Sequence, residues 1–215
     1  MAFNDLVAKG KTYFPALQIK YKDQDAFMKV VGTLLFFNPA FMNNFITTIG
    51  NTIYWPSQKF VEDNPQVASE IFMHECTHMY DEKRLGSVVF KGGYLFPQIL
   101  ALPMLLLLFV LTWKIVLPLV LLCLLPLPAP FRAYFERRAY FISMYVGYKM
   151  YGWDPVATGA SHATDFKDSS YYFMMPFGED AKFAQEAQNI LAGHPACAAE
   201  PALKAMVDDM MTVAN

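Results

Sequence analysis

Histidines 74 and 78 enclose Glu75, Cys76 and Thr77 in an H-E-x-x-H pattern. On a helix, four residues advance about 6 Å and roughly 40°, so both imidazoles project from one face toward a single ion. Glu75 lies about 100° around from His74, close enough to poise a water without binding the metal itself. Zinc lowers the pKa of a bound water to about 7, and a neighbouring carboxylate can take its proton as it attacks a carbonyl. A catalytic zinc site takes three protein ligands and keeps one position open. No third histidine follows at H-E-x-x-H-x-x-G-x-x-H spacing. The best third ligand is Glu136, 58 residues after His78, in the run Arg132-Ala133-Tyr134-Phe135-Glu136-Arg137-Arg138-Ala139-Tyr140. Its ordinary alternative is an ion pair with Arg132 or Arg137. Asp81 is a weaker candidate because it shares the helix of His78 and would have to reach back. His162 and His194 fall in Gly/Pro/Ala-rich stretches that read as loops.

These side chains need a helix to carry them. Asn64 is a candidate N-cap, Pro65 suits a first helical position and Gly86 suits the end, so one helix is expected over 65–84. A second is expected over about 131–150, with Gly152 beyond its last turn. Upstream, residues 17–22 alternate apolar and polar as a half-buried strand does. Residues 25–36 place Phe27, Val30, Val31, Leu34 and Leu35 at the spacing of a packed helix. Phe45–Ile49 and Thr52–Trp55 flank Gly50-Asn51, which is a hairpin signal. The tail after Gly178 reads as one or two surface helices broken by Pro195 and Pro201.

Hydrophobic residues make up 55% of the 215 and charged residues 17%, against usual values of about 45–50% and about 25%. The excess has a location. Between Lys91 and Arg132 the one charge is Lys114. As helices, Gly92–Trp113 and Ile115–Phe131 would reach about 33 Å and about 26 Å, against a hydrocarbon core of about 30 Å. Two close passes fit, with Trp113-Lys114 at the far interface, and a single tilted span fits by length alone. Both flanks are basic: Lys83, Arg84 and Lys91 before, Arg132, Arg137 and Arg138 after. The positive-inside rule keeps both on the cytoplasmic side, which requires an even number of crossings or a re-entrant loop, of which a hairpin is the better reading. The metal ligands require such a return too, since one crossing would put His78 and Glu136 on opposite sides of a bilayer. A net charge of −2 without a clustered basic face gives no reason for a nucleic-acid partner. Cys76, Cys123 and Cys197 form no disulfide framework and no C-x-x-C metal spacing. The first residues have no apolar run of the kind a signal peptide needs.

H-E-x-x-H, an apolar hairpin, then a helix carrying E-x-x-A resembles the gluzincin clan of zinc metallopeptidases. The likeness is to its integral-membrane members, the CAAX prenyl protease and the HtpX-type heat-shock protease, over about residues 45–150. Their third ligand is the Glu of a motif like E-F-x-A-D. Glu136 and Ala139 keep two positions of it, while Tyr140 stands where the family has Asp. The resemblance implies an edge strand beside the cleft, in the hairpin of Ile46–Tyr54, with which a peptide could pair.

The expected fold is α+β: a mainly helical, minimal gluzincin-like metallopeptidase domain with a small β-hairpin or sheet and an inserted hydrophobic membrane hairpin. Residues 1–91 would carry the H-E-x-x-H helix, 92–131 the hairpin, and 132–215 the Glu-ligand helix and a helical tail. The expected function is zinc-dependent endopeptidase cleavage of membrane or membrane-adjacent proteins. One Zn2+ per chain would be held by His74, His78 and Glu136, with Glu75 activating the zinc-bound water. Expected partners are a protein or peptide substrate and the lipid bilayer, with the catalytic part on the cytoplasmic side. Tyr171 and Tyr172 are candidate oxyanion stabilisers, with aromatic packing as their ordinary explanation. Two other functions stay open: a membrane structural or pore-forming protein with a non-catalytic H-E-x-x-H, and a zinc hydrolase of non-peptide substrates.

Overall fold

Short alternating runs near the N-terminus give strands, and helical periodicity governs the rest of the chain. The computed structural model describes residues 3–34, 40–125, 127–168, 174–175 and 177–214. The elements in order are α1 (Phe3–Tyr13), β1 (Gln18–Tyr21), α2 (Ala26–Leu34), α3 (Ala40–Asn43), β2 (Thr47–Ile49), β3 (Thr52–Trp55) and α4 (Gln58–Asp63). There follow α5 (Pro65–Leu85), α6 (Ser87–Tyr94), α7 (Ala101–Leu106), α8 (Trp113–Leu124), α9 (Pro130–Tyr151), α10 (Pro155–Asp165), α11 (Glu179–Leu191) and α12 (Pro201–Met211). The chain is thus mostly helical with one small sheet, an α+β architecture.

The sheet has the order β1-β3-β2. The expected hairpin forms, with Thr48 opposite Ile53 in antiparallel register. Gly50 takes the left-handed conformation that the turn demands (φ 60°). The parallel pairing of β1 with β3 was not evident from the hairpin signal, because it joins residues more than thirty positions apart. It leaves β2 as an edge.

Helix α5 runs as the spacing predicts, with Pro65 in its first turn and Gly86 (φ 82°) at its end. Asn64 does not cap it: its side chain donates to Phe60 O at 3.0 Å instead, closing α4. Helix α9 stops at Gly152 in the left-handed conformation (φ 67°). The two long helices pack along each other. Fully buried Ala133 and Ala139 present small side chains on the buried face of α9 and permit that approach.

The tail forms the two surface helices expected of it, α11 and α12, separated by the segment from Pro195 to Pro201, and each docks one face on the core. Phe183, Ala187 and Ile190 of α11, and Leu203, Met206, Val207 and Met210 of α12, belong to the main core. Their i, i+3, i+4 spacing is the amphipathic pattern of a helix docked on one face. Two expectations need correction. On helix α2, Phe27 is 55% and Val30 60% exposed while Met28 is fully buried, so the apolar spacing does not mark the covered face; Leu35 and Phe36 lie outside the described residues. The apolar stretch, finally, is not two long helices. Helix α6 ends at Tyr94, and the Gln98–Phe109 piece (α7 between two 3₁₀ turns) leaves it at a bend of 100°. Helix α8 begins at Trp113 and ends at Leu124. Pro97 removes a backbone donor at the bend after α6, and Pro128 stands beyond the end of α8. No single helix among the described residues is long and apolar enough to cross a membrane. α7 and α8 pack on each other through Ala101, Val116 and Val120, a small core separate from the main one. Their outer sides remain open.

Candidate metal centre

His74 and His78 sit one turn apart on α5, and Glu136 meets them from the first half of α9. The two Nε2 atoms are 3.1 Å apart, and Glu136 Oε2 lies 3.3 Å from His74 Nε2 and 3.6 Å from His78 Nε2. All three residues are buried, and their ligand atoms lie within 4.8 Å of one another. An ion with tetrahedral bonds of about 2.0–2.2 Å, as zinc makes to nitrogen and oxygen, separates its ligand atoms by about 3.3–3.6 Å. The three measured edges fall on that range or just short of it, so the donor set fits a metal ion.

The electrostatics of the trio point the same way. Burial disfavours charge on Glu136, but the hydrogen bonds and charges of the two imidazoles hold its carboxyl well below the usual carboxylate range. Burial also opposes a charged His74. The hydrogen bond and charge of Glu136, with the charges of Glu75 and Glu70, outweigh it and raise the imidazole pKa. A dry site that draws positive charge between a carboxylate and two imidazoles suits a cation.

Neighbouring groups orient two of the candidate ligands, Glu136 and His74. Tyr94 of α6 donates a short hydrogen bond to Glu136 Oε1, which leaves Oε2 toward the histidines. Ser143 Oγ lies 3.4 Å from His74 Nδ1, and the Tyr140 ring stands edge-on to His74 with centroids 4.6 Å apart. Glu136, Ala139, Tyr140 and Ser143 follow i, i+3, i+4, i+7 spacing, so a single face of α9 supplies carboxylate, small contact, ring and hydroxyl. Tyr140, at the position where the resembled motif has Asp, also stacks on His162 with centroids 4.4 Å apart.

Glu75 points to the open side. It is 9% exposed and accepts a hydrogen bond of 2.6 Å from Thr48 Oγ1 on the edge strand. In front of it lies a cavity of about 490 Å³, bordered by Thr47, Thr48 and Ile49 of β2, by His74, Glu75, His78 and Glu136, and by Phe90, Tyr94 and Arg132. The Arg132 guanidinium lies over the Tyr94 ring at 5.3 Å. The arrangement offers a metal position, a carboxylate beside it and a strand edge along one wall.

The other candidates lie elsewhere. Asp81 is fully buried, but its partner is Arg138, at 3.0 Å through both carboxylate oxygens. Arg137 pairs with Glu179, so neither it nor a solvated face holds Glu136. His162 is on α10, not in a loop, with Glu70 Oε1 3.9 Å from its Nε2. His194 is exposed beyond α11. Tyr171 and Tyr172 lie outside the described residues. Sequence reasoning missed Tyr94, Thr48 and Ser143. Ser143 had a signal, standing two turns after Glu136. Tyr94 had a weaker one, a hydroxyl at the start of an uncharged run. Thr48 had none, since its role depends on how the sheet meets α5.

No family model matches the chain, and no curated protein or solved structure matches it significantly.

Proposed function

We propose that the chain is a zinc-dependent endopeptidase that cleaves membrane or membrane-adjacent proteins. The observation that carries this reading is the convergence of His74, His78 and Glu136 on one point, with Glu75 beside it on the floor of an open cleft. A structural metal site is closed by four protein ligands and has no use for a free carboxylate. Here three donors converge, and a fourth group, the Glu75 carboxylate, faces the cavity.

His74, His78 and Glu136 would hold the ion, which when bound supplies Lewis acidity that polarises a carbonyl and acidifies water. The remaining steps belong to side chains of this chain. An extended substrate segment would lie along β2 and pair with its open edge, which holds the backbone straight and presents a peptide carbonyl to the cleft. Glu75 would accept the proton of the attacking water and return it to the departing amine nitrogen. Thr48 keeps the Glu75 carboxylate turned toward that water. Tyr94 and Ser143 hold Glu136 and His74 in ligating orientation. The apolar hairpin between the second and third ligands supports a bilayer as the setting, because its outer faces present leucine, valine and phenylalanine to the surroundings.

A membrane structural protein with an idle H-E-x-x-H is the second reading, and the same exposed hairpin favours it. Two measurements separate them. Elemental analysis of detergent-purified protein is expected to give about one zinc per wild-type chain and a sharp loss in Glu136→Ala. Cleavage of a quenched fluorescent peptide library is expected to fall by about 10²-fold or more in Glu75→Gln while the metal stays. A metal-free wild type that cannot be reloaded, or an unchanged Glu75→Gln, sinks the peptidase reading.

A further inference from the structure

The lengths of the apolar pieces decide how deep they reach. The leg from Gln98 to Phe109 combines α7 with a 3₁₀ turn at each end, and the return leg is α8, 12 residues long. At about 1.5 to 2.0 Å per residue, each leg is roughly 20 Å long. A bilayer with its headgroups is about 40–45 Å thick, so one leaflet is about 20–22 Å. Each leg matches a leaflet, not a membrane.

Exposure on the hairpin runs around it and is not confined to one patch. Leu102 and Leu106 on the first leg are 65% and 63% exposed, Phe109 near the tip is 87%, and Leu121 and Leu122 on the return leg are both 54%. A docked protein covers one face, whereas these side chains need an apolar medium on several sides at once. The feet of the hairpin differ in character. Lys91 stands before the first leg and Arg132 after the second, and both also border the cleft in front of Glu75. Basic feet suit anionic headgroups, and residues shared with the cleft set the height of its mouth.

We propose that the hairpin of residues 95–125 enters a single leaflet, from the side that carries the metal centre, and stops near the bilayer midplane with the cleft mouth at headgroup level. This rests on the membrane part of the proposed function and extends it to the substrate. A cleft at that height takes an extended segment that lies at, or emerges from, the same leaflet. Lys114, the one charge near the tip, opposes burial at the midplane. A tip that reached the opposite headgroups would use the same lysine as an anchor.

The test uses full-length, detergent-purified chain added to preformed vesicles of neutral lipid with about a third anionic lipid. Flotation with the vesicles is expected. In a Cys123→Ser background, Lys114→Cys is challenged with a membrane-impermeant maleimide, either added outside or trapped in the lumen. The expected result is no labelling from either side and full labelling once detergent dissolves the vesicles. Labelling from the lumen would show a tip that crosses, and labelling from outside would show one that never enters; either overturns the proposal. As a check that needs no cysteine, Lys114→Leu is expected to tighten vesicle binding tenfold or more, and weaker binding would overturn one-leaflet entry. Failure to float would remove the membrane setting altogether, while the zinc and Glu75→Gln measurements would still decide the peptidase reading.

Discussion

Replacing Arg138 with methionine should destabilise the chain markedly. Asp81 is fully buried on α5 and receives two bonds of 3.0 Å from the Arg138 guanidinium, which also pairs with Glu200 at the start of α12. The cluster therefore ties α5 and α9, which carry the candidate ligands, to α12. Removing one partner of a buried pair costs about 3–5 kcal/mol, because the other charge stays buried without compensation. Arg84 lies 3.5 Å from Asp81 with its side chain 40% exposed, so it returns part of that loss, and about 3 kcal/mol should remain. For a chain of this size that corresponds to a fall in Tm of roughly 6–12 °C. Thermal unfolding in detergent, followed by circular dichroism, reads the shift. Methionine preserves much of the stem packing, so the loss reports the charge. The double variant Asp81→Asn with Arg138→Met should recover at least 1 kcal/mol relative to simple addition. A single variant within about 0.5 kcal/mol of wild type would refute the account of the buried pair.

Three more expectations concern the cleft and its supports. Lys22 is fully buried, with Nζ donating to Phe41 O at 2.7 Å and Phe45 O at 2.8 Å, and burial pushes its pKa down from 10.5 to about 8. The folded chain therefore loses this proton before the unfolded chain does, so stability rises between pH 8 and 10.5, by at most ~3 kcal/mol. Denaturant titrations across that window should show the rise in wild type relative to Lys22→Met, and parallel curves would contradict it. Ser143→Ala should weaken metal binding about tenfold, the low end for a group that orients a metal-ligating histidine, given its 3.4 Å separation. A competition titration with a chelator measures this, and a change under twofold would remove Ser143 from the site. Thr48→Val should lower kcat about tenfold by freeing the Glu75 carboxylate, with metal content intact; unchanged turnover would mean that Thr48 has no part in holding the carboxylate.

The convergence of His74, His78 and Glu136, and the helices that bear them, were legible because their signals are local or chemically rare. Pro65 and Gly86 bracket α5, H-E-x-x-H fixes two donors on one face, and Glu136 was the one acidic residue in the first polar run after the apolar stretch. What escaped depends on contacts between distant segments. Asp81 carries no sign in the sequence that Arg138, 57 positions on, will claim it. Phe27 and Val30 have helical spacing, but spacing alone does not say which side of a helix the protein will cover. Residues 179–211 read as polar because their charged faces dilute an apolar stripe that the core absorbs. The apolar stretch misled for another reason. Composition measures how much apolar chain there is, while local breaks such as the bend at Pro97 and the turn between Phe109 and Trp113 decide into what lengths it is cut.

The hairpin interrupts the site in sequence but not in space, and that placement links the two halves of the functional reading. Tyr94, at the end of α6, donates to Glu136, and Arg132, in the first turn of α9, lies over the Tyr94 ring. The two feet of the hairpin thus touch each other and the third candidate ligand. Any force that spreads the feet must move Tyr94 away from Glu136 or shift α9 against α5. A bilayer seating the hairpin as proposed would hold the feet together, so lipid should stabilise the candidate metal centre as well as locate it. Metal affinity measured in vesicles should then exceed that in detergent, and the difference should shrink in Tyr94→Phe, which keeps the ring and loses the hydrogen bond. Equal affinities in both media would mean that the hairpin is an anchor alone and that the packing of α5 on α9 sets the site without help from the membrane.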